Sequence, residues 1–549
     1  MYLATALRES FKEGYKLANL KKDFIAGMVV SLVALPLSMA LSIAVGLPPE
    51  HGIYTAIIAG TIVALLGGSR TQVTGPTAAF VVVLAPIVAE FGLRGIIWCQ
   101  ILAGIMLLMM GISKLGRYIN FMPYPVTTGF TAGIALVIFT LSLNDFLGLG
   151  IAKMEGSFLY KASQILDALP SLNYAEAGVG FVTLLLIVGL ERRIRFLPSP
   201  LIGIVGGSLL GYYLNQNGLH VETIMMRFKG GIPSDMPQFH FPGSDSALFA
   251  LPTTSEISTY LGSAFVIAVL AGLESLLSAT VADGMKGTKH NPNAELNALG
   301  IGNIFSGLFA GIPATGAIAR TSANIQNGAN SPFAAVIHAL FILLFVVALT
   351  PWINQIPMAS LAALLVVVAY RMSHYKQFYR IIKIAPKTDI VVLVICFSLT
   401  VLVDMVAGVT AGIVLAALLL VKNVTDATNI ELTSGKDNDD EVKLPRGTMV
   451  YNIDGPLFFG TVEKALDRYN FIKAGKVKKL IIDIRDVPFV DMTGLVAFKS
   501  MILSLTKNKI EVAICGKGEV INQIKRKLKG RKIDNLSFIN SIADVVAKA

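Results

Sequence analysis

Residues 24–45 read FIAGMVVSLVALPLSMALSIAV, a run without a single charged side chain. An α-helix rises 1.5 Å per residue, so about 20 such residues cross the roughly 30 Å of hydrocarbon in a bilayer. The run is longer than the apolar core of a secretory leader, and no small-residue cleavage site precedes the next run, so it reads as a first membrane span. Pro36 falls inside it, where a kink is expected.

Comparable runs recur outward from this one, at 52–67, 76–90, 95–113, 123–143, 176–190, 198–214, 257–282, 294–309, 317–328, 332–350, 357–370, 388–402 and 405–422. Together they make fourteen spans, several of them short. The composition agrees: of 549 residues, 54% are hydrophobic and 15% charged, with a mean hydropathy of +0.67. Soluble domains carry about 25% charged residues, so this balance excludes an ordinary cytosolic enzyme, a disordered chain and a fibrous protein. The 50 glycines and 23 prolines fit a polytopic α-helical membrane protein, because neighbouring helices in lipid re-satisfy the backbone.

A net charge of +11 would suggest nucleic acid in a soluble protein. Here the basic residues sit in short loops, as they do on the cytoplasmic side of membranes. The clusters are Arg8, Lys12, Lys16, Lys21 and Lys22; Lys114 and Arg117; Arg192, Arg193 and Arg195; Lys286 and Lys289; and Arg371, Lys376, Arg380, Lys383 and Lys387. Beyond the N-terminal arm each cluster follows an even-numbered span, which puts both termini in the cytoplasm of a multi-pass inner or plasma-membrane protein. Membrane lipid is then a partner and nucleic acid is not. Cys99, Cys396 and Cys515 form no CxxC pair, so neither a disulfide framework nor a metal site is encoded.

After Lys422 the composition turns polar, and Thr433-Ser-Gly-Lys-Asp-Asn-Asp-Asp-Glu441 reads as a solvated linker. Strand-length apolar runs at 448–453, 479–484 and 511–515 alternate with helix-patterned stretches at 461–473, 494–506 and 518–529, the mark of a small α/β module. The expected divisions are an N-terminal arm at 1–23, a transmembrane domain at 24–424, a linker at 425–446 and the module at 447–549. The basic run Lys525-Arg526-Lys527, with Lys529, Arg531 and Lys532, is a solvated face or a contact for anionic lipid or an acidic protein.

Two stretches carry the chemistry. Gly75-Pro76-Thr77-Ala78-Ala79 opens the short third span, and Pro313-Ala314-Thr315-Gly316-Ala317 opens the short tenth. Small residues at a helix start let backbone N–H donors approach a bound anion. If the chain is two copies of seven spans these positions correspond, and Gly/Pro-interrupted segments in matching places point to a transporter site. The alternative is plain helix packing by small residues. Glu274 lies inside the eighth span with Ser278 one turn on. A carboxylate there is costly, so it holds a proton, holds Na⁺ with Ser278, or pairs with Arg320. Arg320, one turn past Ala317, either lends positive field to an anion or snorkels outward. Asp145 and Asp404, near span ends, are read as interfacial. In the module, Thr493 of Asp491-Met-Thr-Gly494 stands at a helix start, as a cap or as a phosphorylation switch. No GxxxxGK loop, HExxH or GxSxG occurs and the six histidines are scattered, so no enzyme chemistry, ATP-driven pump or cofactor is encoded.

Leu47-Pro-Pro-Glu-His-Gly-Ile-Tyr-Thr55, Gly67-Gly-Ser-Arg-Thr-Gln-Val-Thr-Gly-Pro-Thr-Ala78 and the module with Asp491-Met-Thr-Gly494 together resemble the SulP family of anion transporters (sulfate permease type), whose C-terminal domain is called STAS. The resemblance implies a 7+7 inverted repeat, split into a core domain (spans 1–4 and 8–11) and a gate domain (spans 5–7 and 12–14), acting as a homodimer by an elevator movement. It places the substrate at Thr77, Ala78, Gly316 and Ala317, with Arg320 nearby, and Thr493 at a position phosphorylated in some soluble STAS proteins, open to a regulatory protein. Bicarbonate members that use Na⁺ carry Asp and Thr where Glu274 and Ser278 stand, and Thr at the place of Ile318. The implied function is secondary active, proton-coupled uptake of sulfate or a related small anion, with H⁺ ahead of Na⁺. C4-dicarboxylate uptake, Na⁺-coupled bicarbonate symport and a passive anion channel are the alternatives. A nucleobase permease of the same fold fits the Thr77 and Arg320 chemistry poorly.

Overall fold

A computed structural model describes residues 2–117, 123–152, 154, 156–191, 193, 198–243, 247–434, 447–462, 464, 477–528, 533 and 535–542. Two compact units result, Met1–Ile413 and Val414–Ala549.

The first seven spans are Leu17–Val45, Glu50–Leu66, the two arms of Ala79–Ile112, Tyr124–Leu147, Tyr174–Leu190 and Ser199–Gln216. Gly92 breaks Ala79–Ile112 with φ of 61° and ψ of −162°, a conformation that favours glycine and turns one long helix into the third and fourth spans. The second seven are Thr254–Lys286, Pro292–Leu308, Ile318–Gln326, Phe333–Ile353, Met358–Met372, Lys387–Leu402 and Met405–Ala427. Each half has a two-residue strand before its third span: β1 is Thr74–Gly75 and β2 is Thr315–Gly316. Each also has a surface helix between its fifth and sixth spans, Phe158–Ala168 and Tyr375–Ile384. The same order in both halves, joined by antiparallel pairing of β1 with β2, is the 7+7 inverted repeat.

Local chemistry explains the helix starts. Thr253 and Glu256 form a reciprocal capping box at Thr254–Lys286, and Asn291 accepts from the N–H groups of Asn293 and Ala294 at Pro292–Leu308. Small residues let helices touch: a Cβ on Gly104 would lie 2.7 Å from the Gly300 carbonyl oxygen, and one on Gly300 2.6 Å from that of Gly104. Pro36 does not break its helix, which runs on from Leu17 to Val45.

Two expected boundaries change. The arm at 1–23 is folded: Thr5–Lys12 is a helix, the first span starts at Leu17, and buried Asp23 accepts hydrogen bonds from Tyr15, Asn330 and Ser331. The linker at 425–446 is not all linker, since the last span runs to Ala427 and Asn429–Ser434 is a strand. Ile430 and Leu432 alternate with polar neighbours there, the period of a strand with one buried face. Residues 435–446, 465–476, Arg192, Arg195, Lys529, Arg531 and Lys532 lie outside the described residues, and with them most of the linker and of the 461–473 helix.

In the second unit, β3 (Asn429–Ser434), β4 (Thr448–Asp454), β5 (Lys479–Asp483), β6 (Glu511–Cys515) and β7 (Leu536–Ile539) form one sheet in chain order. β3 is antiparallel and the rest parallel. Alternate residues face opposite sides: Tyr451, Leu480, Ile482, Val512 and Ile514 meet Phe498, Ile502 and Leu505 of Met492–Lys507, while Val450, Ile481, Ala513 and Cys515 pack behind.

Candidate functional site

The site grows from the crossing of β1 and β2. Thr74 pairs with Gly316 and Gly75 with Thr315, and the Ala317 N–H donates to the Val73 carbonyl at 2.9 Å. Because the strands are antiparallel, the helices that follow them leave in opposite directions with their N-termini toward the crossing. Their N-cap residues are Ala78 and Ala317, whose methyl side chains accept nothing. First-turn N–H donors of both helices are therefore without a side-chain acceptor at the end where the dipole favours negative charge.

The eighth span closes the crossing from one side. Thr315 Oγ1 donates to the Ala271 carbonyl at 2.8 Å. Thr77 Oγ1 donates to Glu274 Oε2 at 2.8 Å, both residues half-buried. Ser278 is buried and donates to Thr321 Oγ1 at 3.1 Å, which also accepts from the Val73 N–H at 3.1 Å. Glu274 and Ser278 thus flank the crossing but serve different partners: the carboxylate meets the third span, the hydroxyl the tenth.

Arg320 is 3% exposed, so it does not snorkel outward. Its Nη2 donates to the Pro76 carbonyl, while Nε and Nη1 have no protein partner. It forms no ion pair with Glu274 within 4.0 Å. The guanidinium lies against Gly75, where a Cβ would stand 2.6 Å from Nη1. Uncapped helix starts and a guanidinium with two unpartnered nitrogens attract an anion, and a titratable carboxylate is hydrogen-bonded to one of those helix starts.

Behind the crossing is a network that the sequence reading does not single out. Glu295, 1% exposed, accepts at Oε2 from the N–H groups of Gly68 (2.8 Å) and Ser69 (3.1 Å) and at Oε1 from Gln72 Nε2 (2.9 Å) and Ser275 Oγ (3.3 Å). Four donors satisfy a carboxylate that would otherwise be too costly to bury. Gln72 Nε2 also donates to Ser275 Oγ at 2.7 Å, and a Cβ on Gly316 would lie 2.2 Å from that nitrogen. The signal was available, because Glu295 lies in the ninth apolar run as Glu274 lies in the eighth.

Gly316→Ala should therefore cost about 1–3 kcal/mol by overpacking. It is read as a lower melting temperature of the detergent-solubilised chain, with weaker anion binding. Gly178→Ala, where nothing lies within 4 Å of the added carbon, serves as the neutral control. Equal melting of the two variants would show that Gln72 yields freely.

In the second unit the cap at Met492–Lys507 belongs to Asp491, which accepts from the Gly494 N–H at 2.6 Å. This corrects the reading of Thr493 as a cap: Thr493 is an exposed first-turn residue, two positions past the cap. Asp491→Ala should lower stability of the unit by about 0.5–2 kcal/mol. Thr493→Ala should stay within about 0.5 kcal/mol. Chemical denaturation monitored at this unit separates them, and a larger loss for Thr493→Ala would restore its capping role. Asp145 pairs with Arg227 at 3.1 Å, and Asp404 accepts from the Ala407 N–H at 2.7 Å.

Comparison with known proteins adds the following. A profile of the Sulfate permease family matches residues 20–396, and one of the STAS domain matches residues 441–545. The chain is 37% identical to "Putative sulfate transporter YvdB" of Bacillus subtilis, over 92% of this chain and 93% of that one. It is 26% identical to "Bicarbonate transporter BicA" of Picosynechococcus, over 94% and 91%. The solved structure of the murine Solute Carrier 26 family member A9 anion transporter, in the inward-facing state, superposes with a TM-score of 0.84 at 19% identity. That match covers 99% of this chain and 94% of that one.

Proposed function

The chain belongs to the sulfate permease family, and from that premise we propose that it is a secondary active transporter coupling inward movement of protons to uptake of sulfate or a related small anion. The observation that carries this reading is the hydrogen bond from Thr77 Oγ1 to Glu274 Oε2 at 2.8 Å. It ties an ionisable group to the helix start proposed to hold the anion. Ionised Glu274 repels an anion at Thr77, Ala78, Gly316 and Ala317; protonated Glu274 does not, so proton and anion favour each other's binding. Arg320 supplies fixed positive charge. The core spans 1–4 and 8–11 carry the loaded site past the gate spans 5–7 and 12–14, each chain working within a homodimer, and the STAS domain offers a surface for a regulatory protein.

Sulfate stands ahead of bicarbonate because the relative at 37% identity bears a sulfate name and the one at 26% a bicarbonate name. Liposomes containing the full chain test the proposal, with labelled sulfate, bicarbonate or succinate supplied under a pH gradient, a Na⁺ gradient or none. Sulfate accumulation above equilibrium under an inward proton gradient is expected. Accumulation driven only by Na⁺ would reassign the coupling ion, and strictly downhill flux under every gradient would make the protein a channel.

A further inference from the structure

We propose that the membrane unit holds one anionic phospholipid at a built site, its acyl chain in a cavity of about 850 Å³ among the fifth, sixth, twelfth and thirteenth spans and its headgroup on Arg371 and Lys376. The walls are apolar: Leu136 and Phe139 come from the fifth span, Val188 from the sixth, Val367 from the twelfth and Phe397 from the thirteenth. Leu136, Phe139 and Val188 remain well exposed, so these side chains have not packed the space among themselves. The volume is of the size that binds small ligands, and such a lining offers an occupant dispersion contacts but almost no hydrogen bonds. A sulfate-sized anion has no reason to enter it. A hydrocarbon chain has.

The rim names the rest of the occupant. Arg371 closes the twelfth span and pairs with Glu191 at 2.7 Å, both about half exposed, an arrangement weak enough to be opened by a competing anion. The chain then enters the surface helix Tyr375–Ile384, YKQFYRIIKI, with Lys376, Arg380 and Lys383 among aromatic and branched residues. Tyr375, Tyr379 and Ile382, which share one side of the helix, are 51%, 65% and 42% exposed, so this helix presents an apolar face to something other than the protein. A short helix with that face and several cationic side chains lies in the headgroup layer of a membrane. Phe378 of the same helix lines the cavity, Lys376 Nζ stands 5.9 Å from the Tyr375 ring centroid, and Tyr375 also lines the rim. The mouth therefore opens at headgroup level beside basic residues, where basic pockets between spans select anionic lipid over zwitterionic lipid. The site is separate from the β1–β2 crossing, and its occupancy does not depend on which anion is carried.

The test uses the full chain purified in detergent, stripped of loosely held lipid and analysed by native mass spectrometry and thermal unfolding, with phosphatidylglycerol or phosphatidylcholine added back. Wild type should retain a single phosphatidylglycerol and unfold at higher temperature with phosphatidylglycerol than with phosphatidylcholine. Leu136→Trp, and independently Val188→Trp, fill the cavity from exposed positions and should lose the retained lipid. The double variant Arg371→Gln with Lys376→Gln should keep an acyl chain bound but lose the headgroup preference, by about fivefold per basic side chain removed. Equal retention in wild type and both tryptophan variants, or no preference of wild type for phosphatidylglycerol, would overturn the proposal.

Discussion

Glu274→Gln is expected to abolish anion accumulation driven by a proton gradient while leaving anion exchange across the membrane in place. Glutamine keeps the volume of the side chain and an oxygen that still accepts from Thr77 Oγ1, so the third and eighth spans stay joined as in the wild type. What is lost is the proton. With one proton per anion and the membrane potential clamped at zero, each pH unit of gradient is 1.36 kcal/mol and supports about tenfold accumulation. The variant should fall to a ratio of about one at every imposed gradient. Counterflow of labelled against unlabelled sulfate in the same vesicles shows whether the site is intact. Concentrative uptake at the wild-type level would remove Glu274 from the coupling and turn attention to other acids of the membrane unit, Glu295 first.

The second large effect concerns Arg320. Removing it by Arg320→Ala takes away a charged donor with two unpartnered nitrogens beside the crossing, and hydrogen bonds to charged groups are worth about 1.5–3 kcal/mol. Anion affinity should drop by roughly ten- to hundredfold, measured by calorimetric titration of sulfate into the solubilised protein. The same substitution leaves the Pro76 carbonyl without its donor, so melting of the unliganded protein has to be followed alongside. Arg320→Lys discriminates: a compact ammonium restores part of the field but not the planar fork, and affinity should be intermediate. Unchanged sulfate affinity in the alanine variant, with lowered stability, would mean that the guanidinium serves only to hold the crossing together.

Much of the architecture was legible because membrane helices obey a strong constraint. Every backbone group in lipid must be paired within its own segment, so span length and apolarity are written directly into runs such as 24–45. The Gly/Pro interruptions at 75–79 and 313–317 marked two short spans for a similar local reason, since glycine and proline limit where a helix can start, and they fell in matching places of the two copies that the family resemblance implied. Strand-length apolar runs exposed β4, β5 and β6 in the same way, whereas β3 alternates apolar with polar residues and β7 has only four residues, so neither makes such a run.

The sequence by itself therefore determined the spans, the α/β module and the residue types at the two helix starts, and the repeat was implied by the family resemblance. Only the tertiary structure decided which groups meet. Sequence put Glu274 and Ser278 on one helix face. Folding gave the first to Thr77 and the second to Thr321, 197 and 43 positions away in the chain. Sequence offered Arg320 a bound anion, a carboxylate partner or the interface, and folding placed it against the Pro76 carbonyl and the bare backbone of Gly75. Thr493 lost its capping role to Asp491 because the helix starts two residues earlier than that role requires. Burial, charge and helix starts are local properties that a sequence carries openly. The partner that pairs a buried charge is chosen by which segments cross, and that choice exists only once the two halves of the chain have come together.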